Sequence, residues 1–272
     1  MSDWEILRTI VTDFPHALAG SMIAGLLCAV LGVYVVSRRV VFVGMTLTEI
    51  AVAGVAFAHL VSEDMNPTLG SLILTVVAVL VFTRLLQSRL IPRDTVLGAS
   101  YILAITLRIL MMQKTQGAEV AEIESILKGD MLFVTPEQLV LVAGTAVVLL
   151  VVHALFFKQF LFVSLDAETA ATQGIRSERW DFLFYLTIAI AVSVTVRIVG
   201  DIFVFGFLIL PSVAAMLAIR NIKGIFIMAA VFGLVPPILG LYLAFKLDFP
   251  AGPTTVAAAF LLLIPHLLRK RA

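Results

Sequence analysis

The chain has 272 residues, of which 61% are hydrophobic and only 14% charged, with a mean hydropathy of +1.10. A soluble domain carries roughly 45–50% apolar and about 25% charged residues, so a chain this apolar uses lipid as part of its solvent. The balance of 19 basic against 18 acidic residues gives no footing for nucleic acid, and the single Cys28 excludes an internal disulfide, a thiolate zinc cluster and a Cys-x-x-Cys redox site.

The first 16 residues contain Asp3, Glu5 and Asp13 and lack the basic region of a cleavable signal peptide. Trp4, Leu7, Ile10, Val11 and Phe14 recur at helical spacing there, which predicts a short helix lying in the outer interface. Apolar runs able to cross a ~30 Å hydrocarbon core then follow at 17–37, 41–61, 68–87, 95–112, 137–157, 181–199, 201–219, 224–245 and 251–268. The second is the weakest by hydropathy because it carries Glu49. The seventh begins at Gly200-Asp201 and is interrupted by Pro211, so it reads as broken or partly re-entrant. The fold class is therefore an all-α polytopic membrane bundle of nine spans, or eight if the seventh does not cross. The whole of 1–272 reads as one transmembrane domain.

Two connections are longer than turns. The stretch 113–136 is acidic, whereas 158–180 mixes both charges and has helix-forming content from Asp166 to Thr172. With nine spans, one side collects Arg38, Arg39, Arg84, Arg89, Arg93, Lys158, Arg176, Arg179, Arg220, Lys223, Arg269, Lys270 and Arg271. The other side collects Arg8, Lys114, Lys128, Arg197 and Lys246, together with Glu63, Asp64, Glu119, Glu122, Glu124 and Asp130. Basic residues accumulate on the cytoplasmic side, which predicts the amino terminus outside, the carboxy terminus inside, 113–136 outside and 158–180 inside. Ala17, Ser21, Gly25 and Ala29 form a small-residue stripe of the kind that lets helices approach closely, within one subunit or between two.

Ionisable groups inside spans are costly and are functional candidates by default. Three qualify: Glu49, Arg108 and Asp201. Met45 lies one turn before Glu49 on the same face, and a carboxylate with a thioether has the donor atoms for a divalent or softer metal. The competing reading has Glu49 hydrogen-bonding a neighbouring helix and Met45 as packing. Arg108 lies about four residues from the outer end of its span and is expected to reach the outer surface. A Glu49–Arg108 pair is the less favoured arrangement, because Glu49 reads as nearer the inner side. Asp201 is expected to be hydrated at a helix amino terminus. His16, His59, His153 and His266 share no ligand spacing and read as interfacial or packing residues. No lysine follows a glycine, so a Walker A loop is absent, as are His-Glu-x-x-His and Gly-x-Ser-x-Gly; catalysis by this chain is not expected.

Five segments in order, LGVYVVSRRVVFVG, GDMLFVTPEQL, LDAETAATQGI, VGDIFVFGFLILPSVAAMLA and GLYLAFKLDFPAGPTTVAAAFLL, resemble the membrane permease subunit of the zinc/manganese-type ABC importers over nearly the whole chain. The resemblance implies a homodimeric permease with two cytoplasmic ATPase subunits and an extracytoplasmic metal-binding protein. Divalent metal would be its transported substrate and no cofactor would be bound permanently. It assigns Asp166, Glu168, Ala170 and Gly174 to the helix that couples the permease to the ATPase, Pro211 to an inner-pathway helix, and Asp248, Pro250 and Gly252 to the last outer turn. Members of that family commonly read Gly-Asp-x-x-x-His in the second span, with Asp and His as metal ligands. Here the stretch is Gly44-Met45-Thr46-Leu47-Thr48-Glu49. One carboxylate remains and the imidazole that suits zinc is gone. The expected pathway residues are thus Glu49, with Met45 or Asp201, passing zinc, manganese or iron. A chelated metal or another small cargo, and a secondary transporter using Glu49 as an ion relay, are the competing readings.

Overall fold

The computed structural model describes residues 3–62, 65–85, 92–115, 117–129 and 131–268. Its elements are helices α1 (Asp3–Thr12), α2 (Pro15–Ser37), α3 (Val41–Val61), α4 (Pro67–Leu85), α5 (Arg93–Met112), α6 (Gly117–Lys128), α7 (Pro136–Leu155), α8 (Phe157–Leu165), α9 (Ala167–Thr172), α10 (Ser177–Val199), α11 (Asp201–Ala218), α12 (Ile222–Leu247) and α13 (Ala251–Leu268). Among the described residues nine helices are long and apolar enough to cross a membrane, and they coincide with the nine runs read from sequence. The remaining four are short. Two of these, α6 and α8, fall in connections whose helical character the apolar runs did not indicate.

The chain divides into two compact units, Met1–Val36 with Ser125–Ala146 and Thr195–Ala272, and Ser37–Glu124 with Val147–Val194. In the first, α11, α12 and α13 pack on one another, and α2 joins them through its small residues. A Cβ on Gly233 of α12 would stand 2.5 Å from the Gly25 carbonyl oxygen, so these two backbones touch. The stripe through Gly25 and Ala29 is therefore used inside the chain. The Ser212 hydroxyl adds a bond to the Ala29 carbonyl at 2.9 Å.

The seventh span is not broken. Helix α11 runs unbroken from Asp201 to Ala218 with Pro211 inside it. Proline removes one backbone donor, but in a bundle neighbouring helices and hydroxyl side chains compensate. Helix α12 likewise carries Pro236 and Pro237 without ending. The eight-span alternative is set aside on this ground.

In the second unit α3 is the central helix and packs on both α4 and α5. Val43, Leu47, Ala51, Val55 and Ala58 are fully buried along it. Despite Glu49 it is not the least hydropathic of the nine, since α5 and α13 lie below it, and its small residues let neighbours approach. A Cβ on Gly54 would lie 2.6 Å from the Gly70 carbonyl of α4. By contrast α4 and α5 expose Leu69, Ile73, Ile102 and Leu110, the apolar faces expected against lipid. A carboxylate in a bilayer is better tolerated on a helix enclosed by protein than on one facing lipid, and α3 is the helix that carries Glu49.

Candidate functional site

Glu49 is 8% exposed and sits in the middle of α3. Its Oε2 accepts a hydrogen bond from Arg108 Nε of α5 at 3.2 Å, with the two side chains 10% and 13% exposed. The pairing that sequence reasoning disfavoured is the one formed, and Arg108 does not run to the surface. The Thr46 hydroxyl bonds the Leu97 carbonyl at 3.1 Å, a second polar contact between α3 and α5. Arg108 Nη1 also lies 3.9 Å from the Met112 sulfur.

Met45 is half-buried one turn before Glu49, and its carbonyl accepts from the Thr48 hydroxyl at 2.8 Å. Asp201 belongs to the other unit, where its Oδ1 accepts from the backbone N–H of Ile202 at 2.6 Å at the start of α11. Among the described residues no group of three His, Cys, Asp or Glu side chains is gathered closely enough to hold a metal ion. His59 Nδ1 stands 3.9 Å from Glu119 at the α3–α6 junction, while His153 stacks on Phe160 and shares a 3.0 Å hydrogen bond with Thr187.

Three separate segments meet at glycines in the first unit. Gly129, Gly200 and Gly252 touch by backbone, with Gly252 N–H donating to the Gly129 carbonyl at 3.1 Å. Gly129 and Gly200 both have positive φ, at 70° and 86°. This contact ties the residue before Asp130, which lies outside the described residues, to the turn before α11 and the start of α13.

The segment 158–180 folds as two helices. Asp166 caps α9, accepting from the Thr169 backbone N–H at 3.0 Å. Gly174 ends it: Ile175 N–H bonds the Ala170 carbonyl and Gly174 N–H the Ala171 carbonyl, each at 3.1 Å, the two bonds of a Schellman close. Gly174 has φ 82°, and no atom lies within 4 Å of where its Cβ would be. Ala170 is fully buried, whereas the Glu168 side chain lies outside the described residues. A hollow of about 750 Å³ beside α9 is lined by Ala171, Gly174, Arg176 and Arg179.

Sequence reasoning missed the residue that anchors this segment. Arg38, in the turn after α2, donates from Nε to the Ser164 hydroxyl of α8 at 2.8 Å and from Nη1 to the Asp181 carboxylate of α10. Its guanidinium lies 3.9 Å over the Phe184 ring, and its side chain is 6% exposed. An arginine counted for topology gave no sign that it was buried.

The pattern of the ABC 3 transport family matches residues 13–270. The manganese transport system membrane protein MntC of Halalkalibacterium halodurans is 24% identical over 244 residues, covering 90% of this chain and 82% of that protein. The high-affinity zinc uptake system membrane protein ZnuB of Haemophilus influenzae is 26% identical over 259 residues, covering 95% and 98%. Among solved structures, PsaBC from Streptococcus pneumoniae in complex with Fab superposes with a TM-score of 0.86 at 20% identity, over 97% of this chain and 95% of that one, a likeness of fold. Nine membrane helices in this order, matched from residue 13 to residue 270 by one family pattern, make the chain a multi-pass membrane protein that belongs to the ABC 3 transport family.

Proposed function

We propose that this chain is the permease subunit of an ATP-driven importer for a divalent metal ion, zinc, manganese or iron. The observation that carries the reading is Glu49, a carboxylate held inside the helix that its unit encloses, at the position where the family resemblance expects a metal ligand. A negative charge kept in low dielectric is costly and is retained where a cation pathway needs it. The relatives named for manganese and zinc transport support the cargo class. Residues 1–272 act as one transmembrane domain, paired with a second copy. The amino terminus faces outside, where a metal-binding protein delivers the ion, and the carboxy terminus faces inside. Hydrolysis belongs to cytoplasmic ATPase subunits, which dock on Asp166, Glu168, Ala170 and Gly174, and the permease itself catalyses nothing.

Met45, which adds a thioether one turn from the carboxylate, and Asp201 are the further candidate pathway ligands. A chelated metal is the second reading, favoured by Met45 and Glu49 standing where the family commonly has Asp and His. Metal accumulation in vesicles holding the permease, its ATPase and its binding protein tests both readings. Glu49→Gln, which keeps shape and removes charge, is expected to lower accumulation at least tenfold while ATPase docking persists. Full transport by Glu49→Gln would remove the carboxylate from the pathway. A wild-type permease that moves a metal chelate but no free ion would favour the second reading.

A further inference from the structure

We propose that the Arg108 guanidinium is a tethered occupant of the cargo position: it holds Glu49 while the pathway is empty, and a cation reaches the carboxylate only by displacing it. This rests on Glu49 being the cargo ligand.

The geometry carries the first half of the argument. Nε stands 3.2 Å from Oε2, and both side chains are nearly enclosed. Arginine does not give up its proton in a protein, so a carboxylate held by it attracts an approaching ion less than a free one would. Freeing Oε2, and so both oxygens together, means moving the guanidinium.

The chemistry of the arginine's surroundings carries the second half. Its Nη1 contact is to a thioether, a weak acceptor, at 3.9 Å from Met112. Arg108 is also one turn from Met112, the last residue of α5. An arginine near a helix end has a hydrated alternative for its head group, because its stem can run along the apolar surface to the interface. Glu49, short and mid-helix, has none. The two partners are thus unequal: one is fixed and the other can leave.

Selectivity follows from the exchange. Sodium or potassium brings the same single charge as the guanidinium but no tether, so it competes poorly. A divalent ion brings two charges to the same carboxylate and wins where a monovalent ion does not. Arg108 is by this account a specificity-determining residue.

The test uses the full chain reconstituted with its ATPase in lipid nanodiscs, with Mn²⁺ alone as the probe, titrated at fixed potassium. Arg108→Gln is expected to bind Mn²⁺ at least tenfold more tightly than wild type, and potassium or added methylguanidinium should then compete with Mn²⁺ where they do not in wild type. Arg108→Lys, which keeps the charge on a head group that makes a poorer pair, should move affinity the same way by a smaller factor and covers the case in which the glutamine variant fails to fold. Unchanged or weaker Mn²⁺ binding in the variant that folds, with binding abolished by Glu49→Gln, would overturn the exchange and leave Glu49 as ligand. Undiminished Mn²⁺ binding by Glu49→Gln would instead overturn the reading of the site, and the exchange with it.

Discussion

The Cα of Gly129 lies against Gly200, in the space where any other residue at position 200 would carry its Cβ. The same added carbon would stand 2.8 Å from the Ile126 carbonyl, and φ at Gly200 is 86°, a conformation other residues adopt at a cost. Gly200→Ala therefore meets backbone on two sides. A positive φ alone costs of order 1–3 kcal/mol, and here the neighbours are main chain and cannot rotate away. The expected outcome is a clear drop in thermal midpoint of the detergent-solubilised protein. Gly98→Ala is the control: nothing lies within 4 Å of that position in α5, and the substitution should be neutral or stabilising by up to about 1 kcal/mol. Equal midpoints for the two variants would mean that the glycine contact does not hold these segments.

Gly174 makes the opposite kind of prediction. It has open space around its Cβ position but a positive φ, and it closes α9. Gly174→Ala should loosen the α9 terminus by about 1 kcal/mol with the rest of the fold intact. Gly174→Trp carries the same backbone cost, so a loss of ATPase co-purification, or of transport per ATP hydrolysed, well beyond that of Gly174→Ala is the expected mark of a partner at this position. Normal docking and normal transport by the tryptophan variant would make the segment a linker only.

Sidedness is open to direct labelling. Gln173 and Lys114 are both exposed, and Cys28 is 1% exposed, so a Cys28→Ala background is silent. A membrane-impermeant maleimide added to intact cells should label Lys114→Cys and spare Gln173→Cys until the membrane is opened. The reverse pattern would invert the orientation derived from the basic residues.

Asp3 of α1 accepts from Lys246 and from the Tyr242 hydroxyl of α12, each at 2.9 Å. These bonds, the lysine first, hold the Asp3 carboxyl below the ordinary aspartate pKa. A depressed carboxylate pKa stabilises the docked helix above the unfolded value, and that contribution disappears as pH falls through the folded one. Attachment of α1 should thus be constant from neutral pH down to the ordinary aspartate range and weaken below it. Trp4, 76% exposed on the same helix, reports this by fluorescence in a Trp180→Phe background. Asp3→Asn should abolish the acid transition, and an unchanged transition in that variant would assign it to another group.

Much of the fold was legible because hydropathy over a span-length window is a property of composition, and all nine runs became helices. The α9 helix was legible for a similar reason, since helix-forming residues act locally, although the capping role of Asp166 appears only in the structure. The Glu49–Arg108 pair was not, because it depends on how α3 and α5 pack on each other, which spacing along either helix does not record. Arg38 was hidden by its own usefulness: counted among the inner positive charges, it gave no sign that its guanidinium was enclosed. Proline misled in the other direction, since Pro211 breaks helices in water far more readily than among packed neighbours.

The Arg38 cluster has a mechanical consequence. One side chain grips α8 at Ser164 and α10 at Asp181 and Phe184, and α8 leads directly into α9. Besides the turn after α9, the short and long helices are thus joined by a second, enclosed link. A displacement of α8 reaches α10 through this one charged contact as well as along the chain.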